Sequence, residues 1–245
     1  MGKNQGHTSS FQQLLRDAKL EAMAEFAAGA GHEINNPLAT ISGRVQLLLL
    51  NETDPQKRQS LKTIGGQVYR IRDMIGDAML FGRPPQPVPE QLNMTDITAD
   101  VQSRLQEQIE KSGCQIKLKC HPETPVWADP VQLSMVVSQL ILNSLSASNQ
   151  GGNILIECSP VIQQEQPFAL FKVTDWGCGL TPEEAEHLFD PFYSGRQAGR
   201  GLGFGLSKCW QFVKLHGGEI TFESKENQST CFTVLLPAKE KCLLE

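Results

Sequence analysis

Four prolines within eight residues, Gly82-Arg83-Pro84-Pro85-Gln86-Pro87-Val88-Pro89, constrain this chain more than any other stretch. Proline has no backbone N–H to continue a helix, and its ring clashes with the preceding turn, so no helix runs through them. The apolar pattern also differs on the two sides. Before the break it is helical; after it, period-two and helical stretches alternate. A chain of 245 residues holds one or two domains at roughly 100–200 residues each, and the prolines set the boundary. The expected organisation is an N-terminal extension over 1–14, a helical region over 15–82, a linker over 83–93, a mixed domain over 94–238 and a tail over 239–245.

In the helical region Ile34, Leu38, Ile41, Val45 and Leu48 are spaced as a heptad seam, which Ala30, Ala27, Met23 and Leu20 extend backwards. Asn51-Glu52-Thr53-Asp54-Pro55 interrupts it with turn-forming residues. A second seam follows through Leu61, Ile64, Val68, Ile71, Ile75 and Ala78 or Met79. Two helices joined by a short turn pack antiparallel. A lone pair leaves much of each apolar face wet, so a second copy is expected, giving a dimeric four-helix bundle. The first helix also carries a polar cluster, His32-Glu33-Ile34-Asn35-Asn36-Pro37. His32 lies off the seam and is expected to point outward. Glu33 can approach one ring nitrogen and fix the tautomer, leaving the other nitrogen nucleophilic. Pro37 is expected to bend the helix just beyond. By itself a His–Glu pair is more often a solvated face.

Past the break, 96–111 reads as a helix, 115–120 as a strand and 131–148 as a second helix with Leu133, Val136, Val137, Leu140, Ile141 and Leu145 on one face. Strands follow at 154–156 and 168–173, then a helix near 205–215 and a hairpin of 219–224 with 230–236. Such alternation predicts a sandwich of helices on one sheet; with the hairpin, the fold class is α+β.

Composition narrows the function. A net charge of −5 gives no support for nucleic-acid or anionic-membrane binding. No apolar run approaches the roughly 18–20 residues that span a bilayer, and MGKNQGHTSSFQQ lacks the apolar stretch of a signal peptide. The seven cysteines form no CxxC pair, which favours reduced thiols and a cytoplasmic chain.

Four stretches of the mixed domain carry polar chemistry. Gln139 and Asn143, at i and i+4 of one helix, offer amide oxygens suited to a hard cation such as Mg²⁺. Asp175-Trp176-Gly177-Cys178-Gly179 follows a strand: its carboxylate can accept from an exocyclic amine, and its glycines admit a ligand to the backbone. Phe189-Asp190-Pro191-Phe192-Tyr193 is an aromatic cluster, and most such clusters are core. Gly199, Gly201, Gly203 and Gly205 alternate into a helix start, where backbone amides suit a phosphate. The spacing fits neither GxxxxGK[ST] nor GxGxxG. Each of the four is weak alone.

Taken in order, over about residues 15–238, they resemble the two-component sensor histidine kinases. His32 to Leu38 resembles the phosphoacceptor box, Asn143 the magnesium-binding asparagine, and Asp175, Gly177 and Gly179 the first glycine box. Phe189 to Phe192 resembles the phenylalanine box and Gly199 to Leu206 the second glycine box. The mixed half also resembles gyrase, mismatch-repair and heat-shock-chaperone ATPases, which lack the histidine hairpin. The resemblance implies an α/β-sandwich ATP-binding domain behind a dimeric hairpin, and an autokinase that moves the γ-phosphoryl group of ATP to His32. In that scheme Glu33 orients the ring and accepts the proton, and Asn143, with Gln139 one turn before it, holds Mg²⁺. Asp175 binds the adenine amine. Gly177, Gly179, Phe192, Gly199, Gly201, Leu202, Gly203 and Gly205 line the nucleotide, with Arg196 or Arg200 reaching phosphate from a lid over 194–200. The phosphoryl group then passes to an aspartate of a response-regulator receiver domain, and Asn36 matches the position that orients a water for dephosphorylating that partner. The chain departs from the family at Gln139, where an asparagine is usual, and in its short lid. These departures keep open a scaffold, or a response-regulator phosphatase with a degenerate nucleotide site.

Overall fold

A computed structural model describes residues 29, 31, 33–148, 151–191, 193 and 203–239. The chain divides into two compact units at Pro85. In the first, residues 33–51 form a helix (α1) and Pro55–Gly82 a second (α2). Asp54 starts α2 in the manner its neighbours dictate: its carboxylate accepts from the Gln56 and Lys57 N–H groups, and Pro55 occupies the first turn, where its missing donor is harmless. Arg58 reaches back to the Leu49 and Glu52 carbonyls, both at 2.9 Å, closing the end of α1. Gln46 and Tyr69 join the helices by a 3.2 Å hydrogen bond. Leu38, Val45 and Val68 are buried, whereas Ile41, Leu48, Ile64 and Ile71 of the same seams stay exposed. The seam extension at Leu20, Met23, Ala27 and Ala30 lies outside the described residues.

The prolines end α2, and residues 90–93, expected as linker, form a strand instead. This is β1 (Glu90–Asn93), antiparallel to β3 (Pro125–Ala128). Two four-residue strands beside prolines carry too little alternation to be read from sequence. The predicted helix over 96–111 is two, α3 (Met94–Arg104) and α4 (Gln106–Ser112), parted at Leu105. Then come β2 (Gln115–Cys120), α5 (Pro130–Ala147), β4 (Asn153–Gln163), β5 (Gln166–Asp175), α6 (Pro182–His187), α7 (Gly205–Leu215), β6 (Glu219–Lys225) and β7 (Ser229–Pro237).

A five-stranded sheet of order β2-β4-β5-β7-β6 is parallel at β2–β4 and antiparallel elsewhere. Period-two alternation buries one face. Ile154, Ile156 and Cys158 of β4, Ala169, Phe171 and Val173 of β5, and Phe232, Val234 and Leu236 of β7 form it. Against this face lie Val101 of α3, Leu133, Val137, Leu140 and Ile141 of α5, and Phe212 and Val213 of α7. Asp129 caps α5 as Asp54 caps α2, again with proline behind it. The His216 Nε2 at the end of α7 accepts from the Asp129 N–H at 2.9 Å and ties the two helices together.

Candidate functional site

The site grows from the alternation of β5. Ala169, Phe171 and Val173 point to the helix layer, and Asp175 is the next residue in that register, so it too points inward and is 1% exposed. A carboxylate there must find donors. The Gly177 N–H donates to Oδ1 at 3.1 Å, and the Ser144 hydroxyl of α5, fully buried, faces the carboxylate. Burial holds Asp175 above the usual carboxylate range, and those two groups pull it back only in part.

The glycines after Asp175 are fixed by close backbone approach. A Cβ on Gly177 would run into the Ala147 carbonyl at the end of α5, the same carbonyl that accepts from the Cys178 N–H at 3.2 Å. Gly179 has φ of +67°, and a Cβ there would strike the Lys225 carbonyl. The Asn227 N–H donates to the Cys178 carbonyl at 2.6 Å. The loop is thus clamped between the end of α5 and the β6–β7 turn, leaving the Trp176 ring 53% exposed.

Gln139 and Asn143 lie one turn apart on α5, and the Gln139 amide donates to Asn143 Oδ1 at 3.1 Å. Gly205, the first residue of α7, packs on Gln139 so closely that a Cβ would come within 2.6 Å of its Nε2. Gly203 has φ of +75°. Unlike α2, α5 and α6, helix α7 opens with no side-chain cap. Phe189 packs at 5.9 Å edge-on to Phe222, and His187 Nδ1 pairs with Asp190 Oδ2 at 2.9 Å, which raises its pKa.

The structure therefore brings together Asp175, Gly177 and Gly179 at the end of α5, and Gln139, Asn143 and Gly205 farther up that helix. Glu33 and Asn36 are exposed on α1; Pro37 provides no N–H for the Glu33 carbonyl, and the Thr40 hydroxyl donates to the Asn36 carbonyl at 3.2 Å. His32, Phe192, Arg196, Gly199, Arg200, Gly201 and Leu202 lie outside the described residues. Sequence reasoning missed two residues with buried hydroxyls next to Asp175 in the fold. Ser144 directly follows Asn143 on α5, and Thr230 is the cross-strand partner of Asp175, 4% exposed and 2.9 Å from Ser224 Oγ. Only the β5–β7 register reveals the second.

Comparison with known proteins gives this arrangement a family. Residues 128–240 match the histidine kinase-, DNA gyrase B- and HSP90-like ATPase family, and residues 22–87 match the His kinase A phospho-acceptor domain. The chain belongs to the sensor histidine kinases. Sporulation kinase E of Bacillus subtilis (strain 168) is 28% identical over 230 residues, covering 94% of this chain and 30% of that kinase. Sensor kinase CckA of Brucella abortus (strain 2308) is 28% identical over 241 residues, covering 92% of this chain and 25% of that one. The chain thus spans under a third of the length of either relative. Among solved structures, full-length ShkA in complex with AMPPNP shares the fold, with a TM-score of 0.75 at 19% identity over 87% of this chain and 45% of that one. The catalytic domain of histidine kinase ThkA, in a nucleotide-free form, matches with a TM-score of 0.55 at 25% identity over 61% of this chain and 95% of that one. No helix among the described residues is long and apolar enough to cross a membrane.

For a divalent cation the histidine kinase offers amide oxygens, the ligand class that Mg²⁺ accepts, and among the described residues no cluster of His, Cys, Asp or Glu competes for it. The Asn143 oxygen already accepts from Gln139. Turning the Gln139 amide over would present its oxygen beside that of Asn143. The two residues then fit a cation whose remaining ligands are phosphate and water.

Proposed function

We propose that the chain is an ATP-dependent autokinase, acting as a homodimer, that phosphorylates His32 and passes the phosphoryl group to an aspartate of a response-regulator receiver domain. The observation that carries the nucleotide half is the buried Asp175 carboxylate, with Gly177 and Gly179 held against backbone carbonyls around it. A carboxylate retained in the core at the cost of its desolvation is well used as an acceptor for the adenine amine. The uncapped start of α7 favours phosphate, since its first N–H groups carry the positive end of the helix dipole. Mg²⁺, held by Asn143 and Gln139, would supply charge neutralisation at the transferring group. Glu33, adjacent to His32, orients its ring, and Asn36, one turn on, orients a water for dephosphorylating the receiver partner.

The hydrogen bond from Gln139 to Asn143 supports a second reading, in which the metal site is weak and the chain works mainly as a receiver phosphatase or docking platform. Incubation with γ-labelled ATP and Mg²⁺ separates the two. An autokinase gives an acid-labile, alkali-stable label that is lost in His32→Gln while nucleotide binding persists. Full labelling of His32→Gln would refute the assignment of His32. No label despite ATP binding would favour the second reading.

A further inference from the structure

The sheet brings together two thiols that the sequence keeps 38 positions apart, at Cys120 and Cys158. Cys120 ends β2, and the parallel ladder pairs it with Cys158 of β4 as the rung that follows Ile116 with Ile154 and Leu118 with Ile156. Paired residues of neighbouring strands share a face, with Cα atoms about 4.8 Å apart, inside the range a disulfide bridges. Both cysteines are free, and their thiols are hydrogen-bonded to each other. Among the described residues no other two cysteines face each other in a ladder. The pair is asymmetric. Cys158 is buried beneath α3, its sulfur 3.5 Å from the Thr98 hydroxyl, whereas Cys120 is half-buried at the end of the edge strand.

We propose that Cys120 and Cys158 form a reversible dithiol–disulfide site oxidised by hydroperoxides, with Cys120 as the attacking thiol and Cys158 as the resolving one. The Cys120 thiolate attacks one peroxide oxygen; the O–O bond breaks, hydroxide leaves to become water, and Cys120 becomes a sulfenic acid. The Cys158 sulfur then attacks the Cys120 sulfur. The S–S bond forms, the S–O bond breaks, and the hydroxide leaves as water with the Cys158 proton. Two thiols lose two electrons in all, and one hydrogen peroxide becomes two waters. The order of attack follows the environments. Cys120 sits half-buried at the end of the edge strand, where an oxidant can reach it, and the hydrogen bond from Cys158 holds its thiol below the ordinary value. The same bond, with burial, pushes Cys158 up and keeps it protonated until the second step. Another buried thiol, Cys209, is pushed up to about 12 by burial and is inert by comparison. Cys158 lies four residues along β4 from Ile154, the rung opposite Asp175, about 13 Å at 3.3 Å per residue. The thiol pair is thus separate from the candidate nucleotide site.

The test exposes the reduced full chain to hydrogen peroxide, then quenches, denatures, alkylates with iodoacetamide and maps the peptides. Alkylation at Cys120 and Cys158 should disappear together, a linked Cys120–Cys158 peptide should appear, and dithiothreitol should restore both. Cys158→Ser should abolish the linked peptide and leave a Cys120 sulfenic acid that dimedone captures, whereas Cys178→Ser should leave the linkage intact. Linkage of Cys120 to another cysteine would overturn the proposal. So would full alkylation of both residues under peroxide that oxidises the exposed Cys178. If Cys158→Ser fails to fold, the peptide map of the parent chain alone decides.

Discussion

Asp175 sits where a carboxylate is expensive. Its raised pKa means that the folded, ligand-free chain holds the proton more tightly than the unfolded chain does. Folding is therefore penalised at pH values above the folded pKa, and the penalty fades as pH falls through that pKa toward the unfolded value. Asparagine keeps the shape and still accepts from the Gly177 N–H, without the charge. Asp175→Asn should melt at higher temperature than the parent at neutral pH without nucleotide, and the gap should close on acidification. ATP affinity should fall by about 10- to 100-fold, the worth of a hydrogen bond to a charged group at about 1.5–3 kcal/mol. Differential scanning fluorimetry across pH, with nucleotide titration, reads both; a variant that neither gains stability nor loses affinity would undo the adenine-site assignment. The glycines offer a second contrast. A methyl at Gly177 meets backbone, which has nowhere to go, whereas one at Gly205 meets the end of the Gln139 side chain, which can swing away. Gly177→Ala should cost about 1–3 kcal/mol, as overpacking does. Gly205→Ala should melt close to the parent yet need more Mg²⁺ for half-maximal autophosphorylation, because Gln139 is displaced. Equal melting losses in the two variants would contradict the geometry.

Among the elements, α5 depends most on a single residue at its start. Asp129 Oδ1 accepts from the Val131 and Gln132 N–H groups at 2.9 and 3.0 Å, and Oδ2 accepts from the Val88 N–H at 2.9 Å. Burial works against its charge, but the three backbone donors outweigh it and hold Asp129 below the usual carboxylate range. A lowered pKa contributes stability that is present above the unfolded value and is lost as pH falls through the folded one. Asp129→Ala should therefore cost about 1 kcal/mol from the cap alone, a melting shift of about 2–4 °C in a unit of this size. The difference from the parent should narrow below about pH 4. A difference independent of pH would mean that the charge plays no part.

The same elements show what a sequence reveals. The strands 115–120 and 219–224 and the helix 205–215 were legible because each carries a clear period and ends at a polar or glycine punctuation. Helix α6 was not: none of its six residues is buried, so it has no apolar stripe. Its signals all lie at its start, the Thr181–Glu184 capping box and Pro182 in the first turn. The division between α3 and α4 has no glycine or proline to announce it. Asp175 and its glycines were readable as one local string, whereas Thr230 and the Cys120–Cys158 rung depend on which strands pair. Pairing is a property of the whole sheet, not of any window of sequence.

At the scale of the molecule, the first unit poses a problem that the hairpin cannot solve alone. Leu38, Val45, Val68 and Phe81 are buried, yet Ile41, Leu48, Ile64 and Ile71 remain 42% to 58% exposed along the seams. A stripe that belongs to the heptad pattern yet faces water is the signature of a missing neighbour. A second copy supplies identical stripes related by a twofold axis, with each residue complementary to its counterpart. Light scattering should then give a mass near twice the 27.1 kDa of one chain. Leu48→Glu combined with Ile64→Glu would place like charges in the shared seam at little cost to the hairpin, since both positions are already exposed. That variant should run as a monomer with its far-ultraviolet helical signal retained and with nucleotide affinity within about twofold of the parent, because Asp175 and its cradle belong to the other unit. A parent chain that is monomeric at tens of micromolar, or a variant that stays dimeric, would place the partner of this face elsewhere.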